Sequence, residues 1–122
     1  IRPGRVPAEE LDVLYRRATA LTFPSTFEGF GLPVLEAMVR GCPVLASSNT
    51  SLPEVVGGAG ILLAPDRPGD WTEAMATMIE RPQRRAELVE AGRARARDFA
   101  WDRSAARLLA VWREVLGERG AA

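Results

Sequence analysis

Phe23-Pro24-Ser25-Thr26-Phe27-Glu28-Gly29-Phe30-Gly31-Leu32-Pro33-Val34-Leu35-Glu36-Ala37-Met38 is the stretch that decides the fold. It reads as the end of a buried strand, then a glycine-bearing loop, then the start of a helix. Pro24 ends the apolar run Ala20-Leu21-Thr22-Phe23. Pro33 suits the first turn of a helix, where its missing N–H is no loss. Gly29 and Gly31 carry no side chain, so backbone can come close to a ligand there. The helix beginning near Leu32 or Pro33 turns its free N–H groups and its positive dipole end to the same place, where a phosphate can be met. Glu28 stands in the loop and Glu36 is expected in the first helical turn, with seven residues between them. Carboxylates so placed can accept hydrogen bonds from sugar hydroxyls, and both can face one crevice.

The same residues have a plainer reading. A glutamate in a first helical turn complements the dipole without any ligand. Glycine-rich strand-to-helix turns occur in many α/β folds, so the pattern alone does not assign a function. Both readings stand on these residues.

Outward from this turn, strands and helices alternate. Leu11, Leu14, Tyr15 and Ala18 recur at helical spacing after Pro7, predicting a helix over 8–17. Pro43-Val44-Leu45-Ala46 is a second apolar strand, after a helix stop at Gly41. Ser51-Leu52-Pro53-Glu54 has capping-box spacing and predicts a short helix through Val56, ended by Gly57 and Gly58. Ile61-Leu62-Leu63 is a third strand. Asp70 and Glu73 have capping-box spacing again, before a face of Trp71, Ala74, Met75, Met78 and Ile79. Pro82 opens a helix to about Asp98 with a stripe of Leu88, Gly92 and Ala96. Ala105, Leu108, Leu109, Trp112, Val115 and Leu116 form the clearest amphipathic helix, over 103–117, read as core or as a face for another domain. Apolar strands alternating with helices predict an α/β fold, a Rossmann-like parallel sheet covered by helices on both faces. Ligands in such sheets bind beyond the carboxyl ends of the strands, where the 25–32 loop is expected.

Composition narrows the classes. A chain of 122 residues, 47% hydrophobic and 26% charged, is one ordinary domain at most. Sixteen basic and sixteen acidic residues cancel, so no global field favours nucleic acid or an anionic membrane. All the basic residues are Arg, and there is no His. A His general base, a His metal ligand and a Ser-His-Asp triad are therefore excluded from this chain. Cys42 is the single cysteine, so no internal disulfide forms, and no His is present to activate it as a nucleophile. Gly57-Gly58-Ala59-Gly60 follows a helix and precedes a strand, the reverse of a phosphate loop, and reads as a helix end. No run reaches the ~20 apolar residues of a membrane span.

Phe27-Glu28-Gly29-Phe30-Gly31-Leu32-Pro33-Val34-Leu35-Glu36-Ala37-Met38, with Gly41-Cys42-Pro43-Val44 and Leu52-Pro53-Glu54-Val55-Val56, resembles the retaining group 1 (family 4) glycosyltransferases of the GT-B fold. The resemblance takes in the Glu9-Glu10-Leu11 helix and the Phe99-Ala100-Trp101-Asp102 approach to the last helix, and so covers nearly the whole chain. It implies that residues 1–122 are the donor-binding, C-terminal part of such an enzyme, without its N-terminal acceptor domain. It implies a nucleoside-diphosphate sugar as donor and transfer of a glycosyl unit, with retention, to the hydroxyl of an acceptor sugar, lipid or small molecule. Glu28 then contacts the donor sugar as the catalytic carboxylate, Glu36 the ribose hydroxyls, and the amides of Gly29, Phe30, Gly31 and Leu32 the sugar and phosphate. No metal and no cofactor are expected, because a helix dipole and basic side chains stabilise the leaving diphosphate. The basic pair of the family precedes this chain, and Arg2 and Arg5 come too late to be that pair. No nucleic-acid partner and no transmembrane segment are implied. The implied location is cytoplasmic or at the inner face of the membrane. The isolated chain is expected to be inactive. The alternative is a non-catalytic sugar-nucleotide-binding or structural module of the same fold. A different α/β nucleotide-binding protein is disfavoured by the lack of a Gly-x-Gly-x-x-Gly or Walker loop.

Overall fold

The computed structural model describes residues 3–117. Helix α1 (Ala8–Arg17) starts after Pro7, whose carbonyl accepts the Leu11 N–H. Strand β1 (Leu21–Phe23) follows, then the loop and α2 (Leu32–Val39), with Pro33 in its first turn. Strand β2 (Val44–Ser47), the short α3 (Leu52–Val56) and β3 (Ile61–Leu63) come next. Helices α4 (Pro68–Glu80) and α5 (Pro82–Ala96), a 3₁₀ turn (Arg97–Phe99) and α6 (Trp101–Val115) complete the order.

The three strands are parallel in the order β1-β2-β3, with Phe23 opposite Ala46 and Ser47 opposite Leu63. The strand in the middle organises the core. Every residue of β2 is buried. Its side chains alternate between two clusters, as the twofold period of a strand requires. Val44 and Ala46 join Val34, Ala37, Met38, Leu52, Val55 and Val56 beneath α2 and α3. Leu45 joins Trp71, Ala74, Met78 and Leu88 beneath α4 and α5. Helices therefore cover both faces, as the alternation predicts. The Trp71 indole N–H donates to Ala64 O at 2.8 Å, tying α4 to the end of β3.

Several expectations are corrected. The edge strands are not buried throughout: Thr22 is exposed, and β3 is only half-buried along its length. Among the described residues each pairs on one side alone, and β2 is the strand with cover on every side. Neither capping box forms. Pro68 starts α4 two residues before Asp70, which places Asp70 in the first turn and leaves no side-chain cap. Ser51 has helical backbone angles, φ −81° and ψ −15°, and makes no cap bond, because its hydroxyl goes to the loop before α2. In α4, Trp71, Ala74 and Met78 are buried, whereas Met75 and Ile79 flank the stripe in solvent. No residue of α6 is buried, so its apolar face is not core: Leu109 is 48% and Trp112 56% exposed.

The glycine string after α3 does end the helix. Gly57 has φ +56° and its N–H closes on Pro53 O. Gly60 serves a different end. A Cβ there would stand 2.9 Å from both Val44 O and Val56 Cγ1, so the chain can pass β2 only without a side chain. Gly60→Ala should destabilise the protein by about 1–3 kcal/mol, the scale of overpacking a filled core, read as a lower urea midpoint with unchanged slope. Cys42 is buried, and desolvation raises its thiol pKa above the usual value. Iodoacetamide at neutral pH should therefore modify Cys42 only as the protein unfolds. Rapid labelling under native conditions would contradict this packing.

Candidate functional site

Parallel pairing of β1 with β2 brings two loops side by side at the carboxyl edge of the sheet. One is the 24–31 loop leaving β1; the other is the 48–51 loop leaving β2. Their contact is polar. Asn49 Nδ2 donates to Thr26 O at 2.8 Å. The Glu28 N–H donates to Thr50 Oγ1 at 3.3 Å. Ser51 Oγ lies 3.0 Å from both Glu28 O and Phe30 O. Ser25 Oγ donates to Phe27 O at 3.1 Å within the first loop.

At the end of this loop the chain turns into α2 through Gly31. Its φ is +102° and it is buried against α3. A Cβ on Gly31 would meet Leu52 Cδ2 at 2.7 Å. Gly31 is thus demanded twice by the fold itself, by its backbone angle and by close packing. Gly29 differs. It is exposed, and a Cβ there would meet nothing within 4 Å.

The four predicted amide donors lie together. Among the described residues, the N–H groups of Gly29, Phe30, Gly31 and Leu32 have no protein acceptor, while Val34 N–H turns back to Gly31 O. No side chain caps α2. These amides and the dipole end of α2 offer a cluster of donors suited to an anion.

The two carboxylates are placed differently. Glu36 is the fifth residue of α2, so it falls in the second turn, not the first. The helix begins at Leu32 and its first turn is apolar, which removes the simple dipole explanation for Glu36. Glu36 Oε2 accepts from the Tyr15 hydroxyl at 3.3 Å. Burial, and then the Glu36 carboxylate, raise the Tyr15 pKa, so the phenol remains a donor. Arg40 lies with its guanidinium 5.5 Å from the Tyr15 ring centroid, and its Nε pairs with Asp12 Oδ1 at 2.7 Å. The two arginines beside Asp12, Arg16 before Arg40, hold its carboxyl below the usual range. The other Glu36 carboxylate oxygen has no hydrogen-bond partner among the described residues.

Glu36 also borders a cavity of about 270 Å³ with Phe30, Leu32, Leu35, Phe99 and Trp101, whose lining does not include Glu28. Phe30, Leu32 and Glu36 thus share one hollow. Phe30 packs edge-on to Phe99, centroids 6.0 Å apart. Neither Glu28 nor Glu36 forms an ion pair with a described residue. No three described Cys, Asp or Glu side chains converge as metal ligands do. No described helix is long and apolar enough to cross a membrane. Arg2 lies outside the described residues.

Sequence reasoning missed Asn49, Thr50 and Ser51. Their signal was misread: Ser51 and Glu54 look like a cap, and only the register of β1 on β2 shows that Ser51 faces the neighbouring loop.

Comparison with known proteins bears directly on this arrangement. Residues 2–95 match the family described as "Glycosyl transferases group 1". The chain is 41% identical over 99 residues to O-antigen chain mannosyltransferase B of Escherichia coli, covering 81% of this chain and 26% of that protein. It is 37% identical over 112 residues to the MMP alpha-(1->4)-mannosyltransferase of Mycolicibacterium hassiacum, covering 88% and 27%. Among solved structures it is similar to sucrose-phosphate synthase from Thermosynechococcus elongatus, with a TM-score of 0.83 and 30% identity over 94% of this chain and 30% of that one. The expected Rossmann-like α/β arrangement of a GT-B fold is the one found. The chain spans about a quarter of the length of the curated relatives it matches. It belongs to the group 1 glycosyl transferases.

Proposed function

We propose that the chain is the donor-binding, C-terminal part of a glycosyltransferase that moves a glycosyl unit from a nucleoside-diphosphate sugar to an acceptor hydroxyl, with retention. The observation that carries this reading is the run of four unpaired amides, Gly29 to Leu32, at the open end of α2. In the reaction the bond from the sugar to the diphosphate breaks, a bond from the sugar to the acceptor oxygen forms, and the acceptor hydroxyl's proton passes to the departing diphosphate. Negative charge grows on the departing diphosphate. Fixed N–H dipoles aimed at that charge stabilise it without reorganising, and this reading assigns the task to the 29–32 amides and the α2 terminus.

Glu36 would accept from the ribose hydroxyls, steadied by Tyr15. Glu28 would face the donor sugar. The acceptor would be a sugar, lipid or small molecule held by another part of the protein. The exposed apolar face of α6 supports a role for this chain as one wall of a larger enzyme. On this reading the isolated chain carries out no transfer.

Two measurements on the natural protein that carries this chain test the reading. Glu36→Ala should weaken the binding of bare nucleoside diphosphates, titrated by calorimetry as a panel of ADP, GDP and UDP, by about 1.5–3 kcal/mol. Unchanged affinity across the panel would remove Glu36 from the ribose. The glycines separate ligand approach from folding. Gly29→Ala should leave the melting temperature unchanged and still reduce donor binding, because its only neighbour would be the ligand. Gly31→Ala should lower the melting temperature, since it adds about 1–2 kcal/mol of left-handed backbone cost to its contact with Leu52. If Gly29→Ala binds nucleotide and nucleotide-sugar as the wild type does, the loop amides are not the phosphate site.

A further inference from the structure

Thr50 stands apart from every other described non-glycine residue: its φ is +51°. A β-branched residue in this region is strained, and it persists only where the surroundings hold it. Glycine or asparagine would take the same angle at lower cost. The threonine side chain must therefore answer to something other than the turn. Its Oγ1 accepts the Glu28 N–H.

The residues on either side act on the same loop. Asn49 Nδ2 donates to Thr26 O, and the single Ser51 O–H, with Oγ 3.0 Å from both Glu28 O and Phe30 O, is shared between those two carbonyls. Glu28 is thus gripped at both of its peptide units, by Thr50 through its N–H and by Ser51 through its carbonyl. Fixing both units fixes φ and ψ of Glu28, and with them the direction of its Cα–Cβ bond. The gripping segment carries a further cost. Asn49 Oδ1 and Ser47 Oγ are buried with no hydrogen-bond partner among the described residues. Orphaned polar atoms and a strained residue within four positions of one another are what a segment shaped for something other than its own stability would show.

We propose that Asn49-Thr50-Ser51 is a positioning clamp that aims the Glu28 carboxylate, with Thr50 kept in its strained conformation to present Oγ1 to the Glu28 amide. This rests on the reading of Glu28 as the contact to the donor sugar. The clamp residues do not touch the donor; they act through Glu28.

The test uses the natural protein carrying this chain and three probe pairs: GDP-mannose with GDP, UDP-glucose with UDP, ADP-glucose with ADP. The pair that the wild type binds most tightly is carried forward, and the sugar increment is the ratio of its two affinities. Thr50→Val removes the acceptor and keeps the β-branch. Thr50→Gly removes both the acceptor and the strain, so it should melt no lower than the wild type. Both should reduce the sugar increment by about tenfold while the bare nucleotide binds within about twofold of the wild type. Thr50→Ser, which keeps the hydroxyl, should restore the increment. Adding Thr50→Val to Glu28→Ala should cost nothing beyond Glu28→Ala alone. If Glu28→Ala leaves the sugar increment intact, the donor reading of Glu28 fails and the clamp falls with it. If Glu28→Ala abolishes the increment while Thr50→Gly and Thr50→Val retain it, the clamp alone is overturned. Equal weakening of nucleotide and nucleotide-sugar by the Thr50 variants would also overturn it, because it would mark a general loop support.

Discussion

The parallel pairing of β1 with β2 is the constraint on which the rest depends. With Phe23 set opposite Ala46, β1 ends one residue short of the end of β2 at Ser47, at the same edge of the sheet. The loops that leave them have no choice but to run side by side. An antiparallel partner would have sent one of these loops to the far edge of the sheet. The burial of β2 on both faces holds the pairing in register, since a slip of one residue would move Leu45 from the α4 side to the α2 side and expose its neighbours to the wrong cluster. The same register decides that Asn49, Thr50 and Ser51 meet the backbone of Thr26, Glu28 and Phe30.

Held in this way, the 24–31 loop shows a division of labour along its backbone. Its carbonyls at Thr26, Phe27, Glu28 and Phe30 face protein side-chain donors, the last two sharing the one Ser51 hydroxyl. Its amides from Gly29 onward are left free. The loop is therefore braced through its acceptors and open through its donors. On the proposed reading, donors left free in a braced loop need not rearrange to meet an anion, which is the condition for electrostatic preorganisation.

Much of this was legible in the sequence, and the failures have physical causes. The apolar runs at 21–23, 44–46 and 61–63 gave the strands, and Pro33 gave the start of α2. Local signals failed where a tertiary partner outbid them. Ser51 has the spacing of a helix cap, yet two loop carbonyls lie within reach of its hydroxyl and the cap is not made. Asp70 has the same spacing, but Pro68 nucleates α4 earlier. Glu36 falls a turn later than expected because periodicity does not say whether Leu32 or a later residue opens the helix. The α6 pattern is amphipathic as its sequence indicates, but a stripe in sequence does not name what covers it, and among the described residues no part of α6 is buried. The glycines and the start of α2 point to free amides at 29–32, and the folded backbone leaves those N–H groups without an acceptor among the described residues.

The site is also fastened from behind, by α5. Arg95 reaches Val55 O and Glu54 O at the end of α3, at 3.2 and 2.5 Å, and lies over the Phe99 ring. Phe99 in turn meets Phe30 in the loop. The loop is thus held between two supports that arrive from different directions, the 49–51 segment on one flank and the α5–3₁₀ junction on the other. A single hydrogen bond of this kind contributes about 0.5–1.5 kcal/mol, and ordering the backbone of one residue costs about 1–2 kcal/mol. No single brace can therefore hold the loop by itself. Its shape depends on the anchored ends at Phe23 and Leu32 together with the shared action of both supports. On the proposed reading, a ligand that satisfies the four free amides would add bonds on the one side of the backbone that the described residues leave unbonded.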